Sequence, residues 1–407
     1  ARISLGFIID SSGSMKNNDP HNIRITALDQ IVDILSGEEN FYLVDFDDDA
    51  VWLTSSDFNG WTPSKLKRSI QRIDASGGTD VGMGLQKMIT AFEQTKIHPD
   101  RTAVMLLTDG QGDYNGQAEW FVQKGIKVYT ISYKNNADAS LLNDIATLTN
   151  GIYIQANNEN EIVAAFMQFY NDLLGNGKYV SQTGYMEDQP VKKLEDFYVD
   201  MNSEALITNL NWTGTDKRLR LYDPAGNTFY NGNHGTDWFE EENYAMVKAY
   251  DAGGSKWSAR VENKDEQPSN DPFMFEASGK SDRSLILEDR SGSGPGLAYQ
   301  LTDPSDNFDI NQVNARIFLT TPKRENINIS NTFRNGTFNF LPTDGKGNYK
   351  IEATILTEDQ SGHPVQRQFI RSRLVGEVIP GYISRINRVM GSYVYSDQGL
   401  FTGNRPG

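Results

Sequence analysis

The sequence predicts a multidomain protein in which a doubly wound α/β domain is followed by all-β sandwich domains. Its 407 residues are too many for one hydrophobic core, so about two to four domains are expected. Continuous apolar strands alternate with helical patterns up to about residue 174. Beyond that point, short runs of alternating polarity are separated by clusters of Gly, Asn, Asp and Pro. These patterns indicate first a covered, mostly parallel sheet and then antiparallel sheets.

The α/β domain is predicted to span residues 1–175. It begins with the apolar strand ISLGFIID, and apolar residues then recur at helical spacing from Ile23 to Ile34. The segments NFYLVDF and AVWLTSS flank Asp47–Asp49 as a hairpin, and two helices follow. The strand TAVMLLTDG repeats the design of the first strand, and helices and strands then alternate up to a last helix at 162–174. Crossover helices of this kind cover both faces of a parallel sheet.

Two sandwich domains and an unassigned tail are predicted to follow. The first sandwich is assigned to residues 176–268, with the loop NKDEQPSNDP as the boundary. The second, assigned to 269–376, has enough strands for an immunoglobulin or fibronectin-III-like module. Within it, Asp344, Gly347 and Tyr349 have the spacing of a tyrosine corner. Residues 377–407 show no clear period and stay unassigned.

Composition excludes several classes of function. A net charge of -16 disfavours nucleic acid as a partner, because phosphate contacts need clustered Lys and Arg. The absence of cysteine excludes disulfides, thiolate metal sites and cysteine catalysis. No apolar run approaches the roughly 18 residues of a membrane span, so no transmembrane segment is predicted. The acidic balance instead favours divalent cations.

Carboxylates and hydroxyls follow two of the apolar strands. Asp10, Ser12 and Ser14 come at the end of the first strand, Asp109 ends the strand TAVMLLTDG, and Thr79 precedes a helix. Ligands of open α/β sheets bind at the carboxyl ends of the strands, so these side chains converge if the two strands are neighbours. A divalent cation would remove the repulsion between the carboxylates. Oxygen-only donors suit Mg²⁺, or Mn²⁺ or Ca²⁺, better than zinc or copper.

The order Asp10-x-Ser12-x-Ser14, Thr79, Asp109 resembles the metal-ion-dependent adhesion site of von Willebrand factor A domains at all five positions. The resemblance spans about residues 1–174. It implies a Rossmann-like, six-stranded sheet whose five site residues hold the cation directly or through water. It also implies a protein ligand that completes the shell of the cation with an Asp or Glu carboxylate.

The following segment is similar to a second family. LNWTGTDKRLRLYDPAGN and KWSARVEN resemble the β-sandwich that follows the A domain in the calcium-activated chloride channel regulator family and its bacterial relatives. An immunoglobulin or fibronectin-III-like module is commonly next in that family. The animal members carry an HExxH metalloprotease segment that this sequence lacks, so the resemblance does not imply self-cleavage.

Three functions remain open at this stage. The favoured one is a non-enzymatic adhesion module, extracellular or on a cell surface and bacterial in origin, that captures an acidic residue of a protein partner. A metal-dependent hydrolase would need a general base near the strand ends, and no His or Glu motif stands there in the sequence. A structural subunit of a surface assembly is the third possibility.

Several other features have two interpretations each. Asp47–Asp49 could form a second cation site, but a solvated turn with its carboxylates pointing outward is favoured. Asp80 and Asp113 either set the negative potential of the site or serve as a helix start and a loop residue. Three tryptophans could form a sugar platform, but packing in a sandwich core is favoured for them: Trp212, Trp238 and Trp257. The histidines lack ligand spacing and are expected at the surface: His21, His98, His234 and His363.

Overall fold

A computed structural model of the chain describes most of its residues. The described ranges are 2–54, 61–134, 137–229, 235–250, 252–291, 297–342 and 344–376, with the backbone of 393–395 and 401–404. His234 therefore lies outside the described residues. So does most of the unassigned tail, in which the described backbone forms two short paired strands at its end, Tyr393–Tyr395 and Phe401–Asn404.

The first part of the chain forms the predicted α/β domain. Its strands are β1 (Ser4–Asp10), β2 (Asn40–Phe46), β3 (Ala50–Trp52), β4 (Thr102–Thr108), β5 (Lys127–Tyr133) and β6 (Tyr153–Ala156). Its helices are α1 (Met15–Asn18), α2 (Ile23–Ile34), α3 (Pro63–Ile70), α4 (Val81–Thr95), α5 (Ala118–Lys124), α6 (Ala139–Leu148) and α7 (Glu159–Leu174). The described sheet has the order β3-β2-β1-β4-β5-β6. All neighbours are parallel except β2 and β3, so the predicted fold class is confirmed.

Burial explains why these strands are apolar throughout. Every residue of β1 and of β4 is buried, because helices cover both faces of the sheet. One apolar cluster lies between the sheet and the helices α2 and α7, and the other lies between the sheet and α4, α5 and α6. The helix α7 ends where Gly175 adopts a left-handed conformation with φ of 73°. The next strand begins at Asn176.

The first sandwich consists of two facing antiparallel sheets. Its strands are β7 (Asn176–Tyr185), β8 (Val191–Lys193), β9 (Phe197–Val199), β10 (Ala205–Trp212), β11 (Lys217–Tyr222), β12 (Thr228–Phe229), β13 (Thr236–Glu240), β14 (Tyr244–Tyr250), β15 (Ser255–Asn263) and β16 (Pro272–Lys280). One sheet has the order β13-β14-β10-β16-β7, and the other contains β12, β11, β15 and β8, with β9 paired to β15. Trp212 and Trp257 are fully buried between the two sheets, so core packing is confirmed for both. Trp238 packs half-buried against the same core.

The predicted boundary between the two sandwiches at 268/269 does not fit this pairing. The strand β16, which we assigned to the second sandwich, hydrogen-bonds to β10 on one side and β7 on the other. The preceding loop carries the chain from one sheet of the first sandwich to the other. The first sandwich therefore extends to Lys280.

The second sandwich follows, and its described sheets have fewer strands than those of the first. Its strands are β17 (Ile286–Asp289), β18 (Leu297–Thr302), β19 (Asn314–Thr320), β20 (Asn326–Asn328), β21 (Thr337–Phe340), β22 (Gly347–Glu358) and β23 (Pro364–Val375). The described sheets have the orders β17-β18-β21 and β20-β19-β22-β23. The tyrosine corner is present, because the Tyr349 hydroxyl donates to the Gly345 carbonyl at 2.7 Å and accepts from the Asp344 amide at 3.2 Å.

The α/β domain and the first sandwich share a hydrophobic core. Ile207, Met246 and Met274 on the first sandwich belong to the same apolar cluster as α2 and α7. The Gln30 and Asn211 amides exchange hydrogen bonds across this contact. The two units therefore bury apolar surface against each other, as the layers of a single domain do.

The second sandwich contacts both of the other units. Lys350 pairs with Glu161 of α7 at 2.7 Å, and the Tyr153 hydroxyl donates to the Asn348 side-chain oxygen at 2.8 Å. Arg367 of β23 is fully buried and forms two bonds, of 2.8 and 2.5 Å, to the buried Asp200 of the first sandwich.

None of the helices in the described part of the chain combines the length and apolar character that crossing a membrane requires.

We expect Asp200→Asn to lower the free energy of unfolding by about 3 kcal/mol, because it leaves the buried Arg367 guanidinium without its counter-charge. Urea denaturation followed by tryptophan fluorescence measures this change. Glu195→Gln is the matched control, since Glu195 pairs with Arg316 between the same two units but both side chains are more than half exposed. Its loss should stay below about 1 kcal/mol. Equal losses in the two variants would show that the buried pair of Arg367 and Asp200 stabilises the protein no more than the exposed pair does.

A pH dependence is expected from Asp29, whose Oδ1 is buried without a hydrogen-bond partner among the described residues. Burial raises the pKa of Asp29 from 3.8 to about 7; Lys67 opposes this, and Asp33 and Glu241 add to it. The folded protein then holds a proton that the unfolded chain loses, so stability falls as the pH rises from about 4 to about 7.

Asp29→Asn removes this loss. Its melting temperature should exceed that of the wild type at pH 8, and the difference should shrink at pH 5. Glu204→Gln, at an exposed position, should show no such pH-dependent difference. A difference for Asp29→Asn that is the same at both pH values would refute the role of Asp29.

Candidate metal centre

Asp10 and Asp109 end two neighbouring strands. β1 and β4 pair in parallel with Ile9 opposite Leu107, so the residues after these positions emerge at the same edge of the sheet. Both side chains are almost completely buried, with exposures of 0% and 1%. Burial, and then the nearby Asp109 carboxylate, raise the pKa of Asp10 to about 6. The predicted convergence of these two carboxylates is thus present in the structure.

Hydroxyl and amide groups surround the two carboxylates. Asp10 Oδ1 accepts from the Ser12 amide at 2.7 Å, and Asp10 Oδ2 accepts from the Thr108 hydroxyl at 2.6 Å. The Ser14 hydroxyl donates to Asp109 Oδ1 at 2.9 Å and lies 3.1 Å from the Ser12 hydroxyl. These four predicted residues, Asp10, Ser12, Ser14 and Asp109, therefore form one continuous cluster of oxygen atoms.

Thr79 approaches the cluster from the loop before α4. A Cβ atom added to Gly110 would lie 3.1 Å from the Thr79 hydroxyl, so this hydroxyl lies directly beside the residue that follows Asp109. The loop is fixed by backbone bonds from Ser76 N to Ser11 O at 2.8 Å and from Gly13 N to Gly77 O at 3.0 Å. The sequence thus brings all five predicted residues to the same edge of the sheet.

The donor set fits a hard divalent cation. The cluster offers carboxylate and hydroxyl oxygens only, and buried like charges are stabilised when a cation lies between them. No group of three or more His, Cys, Asp and Glu residues within the described ranges is arranged to hold a metal. A cation at this edge would therefore depend on Ser and Thr hydroxyls and on water, besides the carboxylates of Asp10 and Asp109.

The model of the von Willebrand factor type A domain family matches residues 4–168. These residues form a von Willebrand factor type A domain. The match covers the whole six-stranded sheet and most of α7. We refer to this part of the chain as the A domain.

No curated protein sequence matches the chain significantly. A von Willebrand factor type A protein from Catenulispora acidiphila aligns with 17% identity and a TM-score of 0.36, over 75% of this chain and 63% of that one. Proximal thread matrix protein 1 from the mussel byssus aligns with 21% identity and a TM-score of 0.37, over 45% of this chain and 49% of that one.

A third similar structure is the Bacillus licheniformis lipase BlEst2 in propeptide form. It aligns with 12% identity and a TM-score of 0.38, over 92% of this chain and 94% of that one. The chain thus spans less than two thirds of the Catenulispora and mussel proteins.

Two residues of the centre were not predicted from the sequence. Asn18, at the end of the short helix α1, donates to Asp109 Oδ2 at 2.7 Å. Thr108, the last residue of β4, donates to Asp10 Oδ2. The signal for Thr108 was its position just before Asp109, where a hydroxyl interrupts an otherwise apolar strand. Asn18 carried no comparable signal, because a four-residue helix has no readable period.

The turn Asp47–Asp49 differs from the predicted solvated turn in one respect. The side chains of Asp48 and Asp49 are exposed, but Asp48 Oδ2 accepts from the Gly78 amide at 2.9 Å. Asp48 is therefore exposed to solvent as predicted, but it also hydrogen-bonds to the loop that carries Thr79. The Asp47 carbonyl accepts from the Asp80 amide at 2.7 Å and adds to this attachment.

The remaining predicted residues have structural partners. The Asp80 side chain accepts from Met83 N at 3.0 Å and caps α4, and Asp113 pairs with Asp80 through the backbone. His21 is exposed and lies 2.9 Å from Glu159, while His363 pairs with Asp359. His98 is exposed as predicted.

We expect Asp48→Ala to weaken Mg²⁺ binding about tenfold without removing a residue of the oxygen cluster, since losing a group that orients the ligands of a metal typically has an effect of this size. The reason is that the Thr79 loop loses its side-chain attachment at Gly78. Asp49→Ala is the matched control, because the hydrogen bond that the Asp49 carboxylate forms within the described residues is to the neighbouring Ala50 amide. Isothermal titration calorimetry with MgCl₂ distinguishes the two. Equal affinities would show that the Asp48 bond does not position Thr79.

Proposed function

We propose that the chain is a divalent-cation-dependent protein-binding module whose A domain captures an acidic residue of a partner. The observation that supports this most directly is the gathering of five oxygen-bearing side chains at one edge of the sheet: Asp10, Ser12, Ser14, Thr79 and Asp109. Mg²⁺ is the proposed ion, with Mn²⁺ or Ca²⁺ as substitutes. The match of all five positions to the adhesion-site pattern adds to this support.

The chemistry of the site favours a negatively charged ligand. A bound cation would supply an electrophilic centre that takes six or more oxygen ligands, so two carboxylates leave positions for further ligands. The chain itself contributes the positioning, since Thr108 and Asn18 direct the carboxylates of Asp10 and Asp109 by hydrogen bonds. A partner carboxylate is the ligand that this arrangement suits best, because hard cations prefer charged oxygens.

We propose binding and not catalysis. A hydrolytic role would require a general base within hydrogen-bond reach of the activated water. Within the described residues, the hydrogen bonds around Asp10 and Asp109 come from Ser, Thr and Asn side chains and from backbone amides. His21, the histidine nearest to the cluster in sequence, is engaged with Glu159.

We also propose that the module acts outside the cell or on a cell surface, in a bacterium. A site with two carboxylates and several hydroxyls is expected to bind its ion weakly, and weak Ca²⁺ sites, with dissociation constants of about 10⁻⁴–10⁻³ M, are typical of extracellular modules. The two sandwiches would then serve as a spacer or a second contact surface. The turn at Trp212–Gly214 and the turn Asp223–Gly226 support a relation to the calcium-activated chloride channel regulator family.

We expect Mg²⁺ to raise the melting temperature of the wild type, because an ion that binds only the folded state stabilises it. Asp109→Ala should abolish this increase. Random peptides that each contain one Asp can be selected on the wild-type protein with Mg²⁺ and released with EDTA. Selected peptides should bind in a Mg²⁺-dependent manner, fail to bind Asp109→Ala, and lose affinity when their Asp is replaced by Asn.

Glu204→Gln provides the control, since Glu204 is exposed on the first sandwich. It should keep both the Mg²⁺ response and peptide binding. Peptides that bind equally well in EDTA, or to Asp109→Ala, would place the interaction elsewhere on the chain and contradict the proposal.

A further inference from the structure

A cavity of about 530 Å³ lies where the A domain meets both sandwiches. It is bounded by the start of β5, the C-terminal half of α7, the start of β7, β17 and β23. Since Lys127 begins β5, the cavity is at the opposite end of the sheet from Asp109 and is separate from the candidate metal centre. Its volume is within the range of roughly 300–1,000 Å³ that small-molecule sites occupy. We call it the interdomain cavity.

The lining is rich in positive charge, although the chain as a whole carries -16. Six basic and two acidic residues line it: Lys127, Lys178, Arg283, Arg367, Arg371 and Arg373, with Asp172 and Asp289. Four of the basic residues form ion pairs with carboxylates. The pairs are Lys178 with Glu276, Arg283 with Asp359, Arg367 with Asp200, and Arg373 with Asp289. Lys127 and Arg371 form no ion pair within the described part of the chain.

Hydrogen-bond donors in this lining lack acceptors. The Tyr299 hydroxyl and the Gln168 Nε2 are buried and have no partner among the described residues. Their side chains are 1% and 5% exposed. The Arg371 guanidinium donates one bond, to the Ile370 carbonyl at 3.0 Å, and its other N–H groups have no acceptor in the described structure. Buried donors without acceptors cost free energy, so the Tyr299 and Gln168 groups indicate a missing acceptor. Arg371 is only partly buried and adds positive charge beside them.

The two acidic residues of the lining each accept a bond already, and neither accepts one from Tyr299 or Gln168. Burial raises the pKa of Asp172 and the Arg371 guanidinium opposes this, so Asp172 offsets part of the Arg371 charge. The Tyr129 hydroxyl donates to Asp172 at 3.1 Å, and Arg373 pairs with Asp289 at 3.3 Å. Burial, and then Asp289, raise the pKa of Tyr299, so its hydroxyl keeps its proton and remains a donor. The lining groups that lack hydrogen-bond partners are therefore mainly donors.

We propose that the interdomain cavity binds a small organic anion with a carboxylate, phosphate or sulfate group. Arg371 supplies the charge, and the Tyr299 hydroxyl and Gln168 amide supply further donors. Charge-assisted bonds to a guanidinium are the stronger class of hydrogen bond, and they favour planar or tetrahedral oxyanions. The volume exceeds what a bare inorganic ion fills, so the ligand has the size of a sugar acid or a sugar phosphate.

Binding can be measured on the full chain in EDTA, so that the metal centre does not respond. The probes are inorganic phosphate, sulfate, glucuronate and glucose 6-phosphate, with neutral glucose for comparison and NaCl at matched ionic strength. At least one organic anion should raise the melting temperature and give a saturable calorimetric isotherm, while glucose should not. The carboxylate and phosphate probes together distinguish the two sources of negative charge.

Two variants test the named donors. Arg371→Gln and Tyr299→Phe should each weaken binding roughly tenfold. Tyr299→Phe should not lower the melting temperature without ligand, because its hydroxyl has no partner to lose. Arg260→Gln is the matched control, because Arg260 is also on a strand and also lies over an aromatic ring. The Arg260 guanidinium is 5.1 Å from the centre of the Tyr222 ring, and the Arg371 guanidinium is 5.7 Å from the centre of the Phe369 ring.

Three results would overturn the proposal. One is that no anion stabilises the protein beyond NaCl. Another is that Arg371→Gln and Tyr299→Phe both bind as tightly as the wild type. The third is that Arg260→Gln loses as much affinity as Arg371→Gln, which would indicate adsorption of anions to surface charge.

Discussion

The organisation of the A domain depends on two buried carboxylates at the ends of adjacent parallel strands. Asp10 and Asp109 are brought together by the register of β1 and β4, and burial together with the nearby Asp109 carboxylate raises the pKa of Asp10. Hydrogen-bond donors from Ser12, Thr108 and Asn18 stabilise the two carboxylates. The loops at this edge are joined to one another by backbone hydrogen bonds. These bonds fix the polar groups at the end of the apolar sheet.

The sequence was sufficient to find the carboxylates but not all of their supports. Asp10 and Asp109 could be predicted because an apolar strand that ends in a carboxylate is readable, and neighbouring parallel strands end at one edge. Thr79 followed from its place in a spaced motif. Asn18 and the Asp48 bond depend on how loops approach each other in space, which no local pattern records.

The boundary error in the β region has a similar cause. A loop rich in Asp, Asn and Pro resembles a linker, yet residues 264–271 connect β15 in one sheet of the first sandwich to β16 in the other. Crossing between sheets needs the same turn residues as leaving a domain. Pairing of β16 with β10 and β7, which are distant in sequence, decides between the two, and such pairing is invisible to a local analysis.

The position of β23 has a mechanical consequence. This strand pairs with β22 in its own sheet, yet it also contacts β6 of the A domain and both β7 and β9 of the first sandwich. Ser372 accepts from the Gln155 amide, and Gln366 accepts from the Tyr198 amide. Tension applied through β23 would therefore pass sideways into all three units at once. The three units would therefore resist extension together and would not unfold one after another.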